Sequence, residues 1–599
     1  MSNQILLRRS AAALSILCAP LGAAVAQQTP ARLDTVVVVA ARTRGGDETR
    51  SVDVITRDQI ARSSARTIAD VLAQATSVDV YGRSPAQADV SIRGSSPEQT
   101  VILVDGVRMT DIQSAHYALD LAVPLQSVER IEILRGAGSA LYGPDAIGGV
   151  INIVTRRTAG ASLEARTGSF GTVGGSGLTG ARVGAASIVA SADYEKSDGH
   201  RPGTDYRDGQ GRVSVLTPVG DGSLQTNLAT GIRDFGAADF YAPYNSIERT
   251  TTTTLDSRWE SDLGPFALSV DGNTRRHQDH YVLVRDEPAL YENRHESWQT
   301  GGEVVARATA GPARLAFGAE GVHDQLSSAR LGGRREWRAG AFVETSAGAP
   351  DAITGTVGLR GDRSSAYGSF FSPSAGASAR VTDWLRLRTS GAIGFRAPTW
   401  TERYYTDPSN IGNPNLRPER FWTGEAGARA TGGDMSLDVA AFTRHATDLI
   451  DWVKPIGAPA TAVWQTENVG EATFRGIEGT ISLPSVGSVT PSVFGTGIDL
   501  DASEGAQLTG KYALRPIVRQ AGLRLGLAGR HSIDARIDLM QERRAHEDAY
   551  LTGTAHVAWT HASYRVTFDV ANVTNADWLD ASGKSAAARA FIVGFGWMP

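Results

Sequence analysis

From residue 158 to residue 599 the chain alternates apolar and polar positions with period two. In YRVTFDV, Tyr564, Val566, Phe568 and Val570 fall on one face and Arg565, Thr567 and Asp569 on the other, while Met435, Leu437 and Val439 alternate with Ser436 and Asp438. About 440 residues at roughly 20 per strand and connection give about 22 strands, an even number suited to a large closed barrel with a polar lumen. A soluble sandwich of that length would expose long unpaired edges. Near the end, Phe591, Val593, Phe595 and Trp597 alternate with Ile592, Gly594 and Gly596, giving the last strand a greasy outward face before Met598 and Pro599.

Residues 51–157 read differently, as a compact mixed domain. In residues 63–74 (SSARTIADVLAQ), Ile68, Val71 and Leu72 share one face of a short amphipathic helix. Strands are expected at residues 88–92, 100–104, 130–134 and 150–154. Between the last two lie Gly136, Gly138, Gly143, Gly148 and Gly149, which predicts tight or irregular backbone. The span lacks the lysine and the spacing of a phosphate-binding loop.

These residues carry a resemblance. Arg135-Gly136, then Ala140-Leu141-Tyr142-Gly143, then residues 146–153 (AIGGVINI) resemble the end of the plug domain of TonB-dependent outer-membrane receptors. Ile92-Arg93-Gly94 and Val104-Asp105-Gly106-Val107 resemble two further plug signatures, in the same order. The resemblance implies an all-β transmembrane barrel of about 22 antiparallel strands with an N-terminal α+β plug inside its lumen. The expected organisation is a signal peptide at 1–26, a TonB box and linker at 27–50, the plug at 51–157 and the barrel at 158–599.

The N-terminus agrees with export to the outer membrane. Arg8 and Arg9 precede an apolar run at 11–21 that ends at Ala24-Val25-Ala26. The one cysteine, Cys18, lies inside that segment, so the exported chain has no disulfide framework. No later apolar run is long enough for a membrane-spanning helix. A formal charge of -5, more negative once the two leader arginines are removed, speaks against a nucleic-acid partner. Only four of the 59 basic residues are lysines, a bias that genomic composition explains. Past the leader, Asp34, Thr35, Val36, Val37 and Val38 form a β-prone segment suited to adding a strand to a partner's sheet. The resemblance identifies it as a TonB box, with TonB and its inner-membrane motor as partners.

A barrel this wide would be an open pore without its plug, so the resemblance implies gated import rather than passive diffusion or surface adhesion. No nucleophile with a paired base stands out, and no enzyme is expected. Two plug loops are candidates for ligand contact: residues 81–87, with Tyr81, Arg83 and Gln87, and residues 110–117, with Gln113, Ser114, His116 and Tyr117. In the barrel, Asp198, Asp205 and Asp208 lie in one expected loop and Asp234 and Asp239 in the next, with Tyr241 and Tyr244 beyond. Converging carboxylates would repel unless a hard cation neutralised them, and the arrangement resembles the calcium-binding loops of cobalamin receptors. No cofactor is required; structural calcium is the one metal expected. Phe395-Arg396-Ala397-Pro398 and Asn413-Pro414-Asn415-Leu416 resemble boxes seen in haem receptors, but no histidine stands between them. Cobalamin or a related corrinoid is the expected ligand, with a ferric siderophore as the alternative and outer-membrane lipid as the surroundings.

Overall fold

A computed structural model describes residues 42–43, 49–84, 86–240, 243–349, 351–459, 461–502, 507–527, 532–580 and 583–599. Asp34 to Val38, Tyr241 and the side chain of Arg83 lie outside the described residues.

Among the described residues, 22 strands from Ser162–Gly168 to Ala590–Trp597 form one closed antiparallel ring. The last strand pairs with the first, Phe595 opposite Ala165, so no edge is left over. The period-two pattern decides which side of the wall each residue takes. Leu228, Phe317, Trp559, Phe568 and Phe595 point outward, each between 44 and 54% exposed, while Thr250, Asp256, Glu344 and Glu478 are buried inside. Apolar outside and polar inside is what a hydrocarbon surround requires. One rim carries tight turns such as residues 220–221 and 264–265, whereas the other carries long connections such as residues 397–418.

The plug is built on a five-stranded sheet in which residues 51–56, 128–135, 149–155, 100–104 and 107–108 lie side by side in that order. Its strands are β1 (Ser51–Thr56), β4 (Thr100–Val104), β5 (Val107–Arg108), β6 (Val128–Arg135) and β7 (Gly149–Thr155), and β2 (Val78–Ser84) with β3 (Gln87–Ile92) forms a separate hairpin. Helices α1 (Arg57–Ala61), α2 (Ile68–Leu72) and α3 (Ser139–Tyr142) complete it. Leu72, Ile92, Ile131, Ile133, Ile151 and Ile153 are wholly buried in one core. The expected amphipathic helix is shorter than its pattern, because Thr67 and Asp70 close a capping box that starts α2 at Ile68.

Two glycines of the β6–β7 connection have steric causes. A Cβ on Gly149 would overlap the Leu134 carbonyl oxygen, inside the β6–β7 pairing. Gly143 adopts φ +75°, and a Cβ there would meet the Arg360 guanidinium at 2.8 Å.

Plug side chains reach barrel strands on every side. Arg66 meets Glu195, Asp105 meets Arg212, Asp111 meets Arg275, Arg50 meets Glu344, Arg93 meets Glu425 and Asp79 meets Arg544. A body touches all walls of a ring only from within it. The plug therefore fills the lumen, held largely by ion pairs rather than by a continuous apolar seam.

Candidate functional site

One buried attachment joins Arg93, just after β3, and Arg135, at the end of β6, to the barrel. Arg93, 3% exposed, places Nη1 2.6 Å from Glu425 and Nη2 2.6 Å from Glu478. Arg135 lies 3.0 Å from the same Glu478 and 2.7 Å from Asp53 of β1. Ser77 donates to Glu478, and Ser51 donates to Glu425 at 2.6 Å. Charges taken out of water recover their solvation only while each keeps its partners, so such a latch holds the plug firmly yet adds less net stability than an apolar seam would. Arg93 and Arg135 belong to the glycine-bearing plug signatures, but their barrel partners are remote in sequence and had no local signal.

Toward the rim of long connections the second plug loop is fixed rather than free. Asp111 is held below the usual carboxylate range: burial opposes this, and Arg275 at 2.5 Å, His277 and the Gln113 backbone N–H overcome it. Above it lies the strap at residues 397–418, which carries α4 (Trp400–Tyr404). Thr399 and Glu402 form its capping box, and the Trp400 and Thr401 N–H groups donate to the carbonyls of Ile112 and Gln113. Arg396, wholly buried, holds Glu402 at 2.9 and 3.0 Å and Glu419 at 2.8 Å. The two boxes resembling haem receptors thus build the root of a strap. Phe395 stacks on Phe370 at 4.0 Å, and Leu416 is buried.

Under the strap is a cavity of about 70 Å³ between the plug apex, with Glu98, Met109 and Ile112, and a wall that includes Arg338, Tyr367 and Phe370. Nε and Nη2 of Arg338 are buried without a hydrogen-bond partner among the described residues, and burial together with the neighbouring Glu402 pushes Glu98 up to about 7. An apolar wall with a few polar groups is the usual make-up of a small-molecule site. Beside it the rim carries arginine on aromatic faces: Arg330 lies 4.3 Å from the Tyr291 ring, Arg334 3.7 Å and Arg403 4.6 Å from that of Tyr404.

The residues expected to meet ligand are mostly occupied by the protein itself. Tyr81 lies beneath the Arg544 guanidinium at 4.0 Å. Gln87 is buried and donates to Asp89, and Tyr117 is buried and donates to Glu248 and Asp279 of the wall. Gln113 is buried under the strap, while Ser114 caps the turn holding His116. His116 engages Asp89 through Nδ1 at 2.9 Å and the Tyr512 hydroxyl through Nε2 at 3.0 Å, so both ring nitrogens are taken. Among the described members of this set Tyr244 alone is exposed, at 40%. Polarity marked these positions in the sequence; it does not tell a solvated loop from one docked on a polar wall.

The aspartates do not converge. Asp208 and Asp234 are strand residues, cross-strand from Arg233 and Arg207, and not the loop residues that polarity suggested. Asp208 pairs with Arg233, Asp205 takes both Arg285 nitrogens at 2.7 Å, Asp234 pairs with Arg249, and Asp239 lies near Arg201 and Lys584. The Asp198 N–H donates to the Phe170 carbonyl. Among the described residues no three His, Cys, Asp or Glu side chains are gathered as a metal site. Arginine supplies the positive charge that calcium was expected to bring, and the donor set as arranged does not fit that ion.

Comparison with known proteins agrees with this architecture. Residues 46–150 match the TonB-dependent Receptor Plug Domain and residues 158–584 match the family TonB dependent receptor-like, beta-barrel. The chain is 27% identical over 507 residues to the Vitamin B12 transporter BtuB of Vibrio vulnificus strain YJ016, covering 78% of each chain. It is 27% identical over 528 residues to the Iron-regulated outer membrane virulence protein of Vibrio cholerae, covering 78% of this chain and 77% of the relative. Similar solved structures include the siderophore receptor PirA of Acinetobacter baumannii, with TM-score 0.74, 17% identity and coverage of 91% and 98%. The ferric enterobactin receptor PfeA of Pseudomonas aeruginosa aligns with TM-score 0.76, 16% identity and coverage of 92% and 98%. A 22-strand ring closed around a latched plug, matched by family models over both parts, places this chain in the TonB-dependent receptor family of the outer membrane.

Proposed function

We propose that the protein imports a corrinoid, cobalamin or a close relative, across the outer membrane, with TonB and its motor pulling the segment Asp34 to Val38 to disturb the plug. The relationship that carries the ligand choice is the 27% identity, over 78% of the chain, to a vitamin B12 transporter. The physical support for energised import is the plug itself: it occupies the lumen and is held by buried ion pairs, and parting one so that a charge stays buried without its partner costs several kcal/mol. Thermal motion alone would break such contacts rarely. The reading assigns the protein transport and no covalent step.

The arginine–tyrosine surface around Tyr291 and Tyr404 favours a second reading, a ferric siderophore with anionic aromatic groups. Calorimetry of the purified protein with cyanocobalamin, with and without calcium, separates the two. Saturable heat supports the corrinoid; no heat in either condition, with binding of a ferric catecholate, reverses the assignment. For energisation, Val37→Pro removes a backbone N–H that strand addition would use. Uptake is expected to fall while surface binding survives, and unchanged uptake would leave a passive porin or an adhesin as the better description.

A further inference from the structure

The plug is not held equally on all sides. Toward the strands Glu292–Ala310 through Glu471–Ser482 it is fastened by Arg42 to Glu303, Arg50 to Glu344, and Arg93 and Arg135 to Glu425 and Glu478. On the side where the barrel closes on itself it is held by Asp79 to Arg544 and by Arg536 and Arg565 to the carbonyls of Gln59 and Ala61, yet it faces a void of about 340 Å³, against about 30 Å³ beside the latch and about 70 Å³ under the strap. At one end of this slot stand Phe170, His200 and Trp578, which belong to connections of the long-loop rim. Its other end is bounded by the edge of α2, at Arg66, Ala73 and Gln74. Inward-facing positions of the last strands, such as Met540, Thr554 and Ile592, form the wall between.

Arg66 donates to Glu195 at 2.6 Å, and Gln74 accepts from Arg536 at 2.8 Å through its side chain and from Arg524 at 2.9 Å through its carbonyl. Helix α2 has five residues and ends within one turn, so little local structure resists its displacement. The Arg66 side chain is 23% exposed, which weakens its pair relative to the Arg93 pairs at 3%. Helix α2 thus borders space that already exists and is tied to the barrel through residues at its two ends.

We propose that the slot along the closure strands is the passage through this barrel, and that α2, through Arg66 and Gln74, is its gate. The inference goes beyond ligand identity and rests on the import reading only for its purpose. The slot carries aromatic rings at the rim, apolar, small and hydroxyl side chains with Asp569 along the wall, and charged groups at the floor. That mixed lining suits an amphipathic solute.

The test needs neither ligand nor TonB. Full-length protein in planar bilayers with potassium chloride is compared with the double variant Arg66→Ala and Gln74→Ala, and with that variant carrying Thr554→Trp to fill the slot. Opening the floor should raise the open-time fraction about tenfold, equivalent to ~1.4 kcal/mol. The added indole should return conductance to the level of the unsubstituted protein. Heat-modifiable migration on gels checks that each barrel is folded, and Met540→Trp serves as a second filler should Thr554→Trp not fold. Conductance unchanged on opening the floor, or a rise that neither tryptophan suppresses, overturns the proposal. Because only ion flow is read, that result would leave the ligand assignment untouched, and failed cyanocobalamin binding would leave the slot untouched.

Discussion

Replacing Glu478 by alanine tests whether ion pairs anchor the plug. Glu478 is 2% exposed and serves two plug arginines, with Arg93 at 2.6 Å and Arg135 at 3.0 Å. Removing one member of a buried pair strands the other charge and costs about 3–5 kcal/mol. Here each arginine keeps a second carboxylate, Glu425 for Arg93 and Asp53 for Arg135, so the lower end applies. A loss of ~3 kcal/mol corresponds to amide exchange about 100-fold faster in β1 and β6, wherever exchange follows opening of the plug. Hydrogen exchange read by mass spectrometry on the detergent-solubilised protein reports this directly, with barrel strands such as Ile247–Leu263 as the internal reference. Glu478→Gln should fall between wild type and alanine, since the amide still accepts a hydrogen bond. Equal exchange in wild type and Glu478→Ala would refute the latch, because a plug held chiefly by shape would not register the lost charge.

Other outcomes follow from the same geometry. Gly149→Ala should destabilise the plug and leave the barrel folded, since its Cβ would overlap the Leu134 oxygen; a separate plug transition in calorimetry should move down or vanish. Burial and Glu402 raise Glu98 to about 7, above its unfolded value near 4.5, so the folded state holds an extra proton between those values. The stability this group contributes is full below about pH 4.5 and is lost as pH rises to about 7, up to about 3 kcal/mol. Exchange protection of residues 397–404 should therefore decline over that window, and Glu98→Gln should flatten the profile. Tyr512→Phe removes the hydroxyl bonded to His116 and should quicken exchange at residues 114–117 several-fold while sparing β6.

Alternation together with length pointed to the barrel: a wall two-faced between hydrocarbon and a polar lumen requires the pattern, and a soluble sandwich of this size, which would share it, would leave long edges unpaired. Tyr564, Val566 and Phe568 point outward as their spacing required, and the residues on either side of the glycine span form β6 and β7. The glycines themselves were legible as constraints; their causes, the Leu134 carbonyl and the Arg360 guanidinium, were not. Nor were the partners of Asp205, Asp208 and Asp234, which arginines neutralise from neighbouring strands and loops. Local sequence reports which way a residue faces, since that depends on its immediate neighbours along the strand. What it faces depends on which strands the closed ring brings round the plug. Arg93 and Glu478, 385 positions apart, and Gln74 and Arg536, 462 apart, meet only when the last strand pairs with the first. Closure thus decided where the plug is latched and where a slot remains beside it.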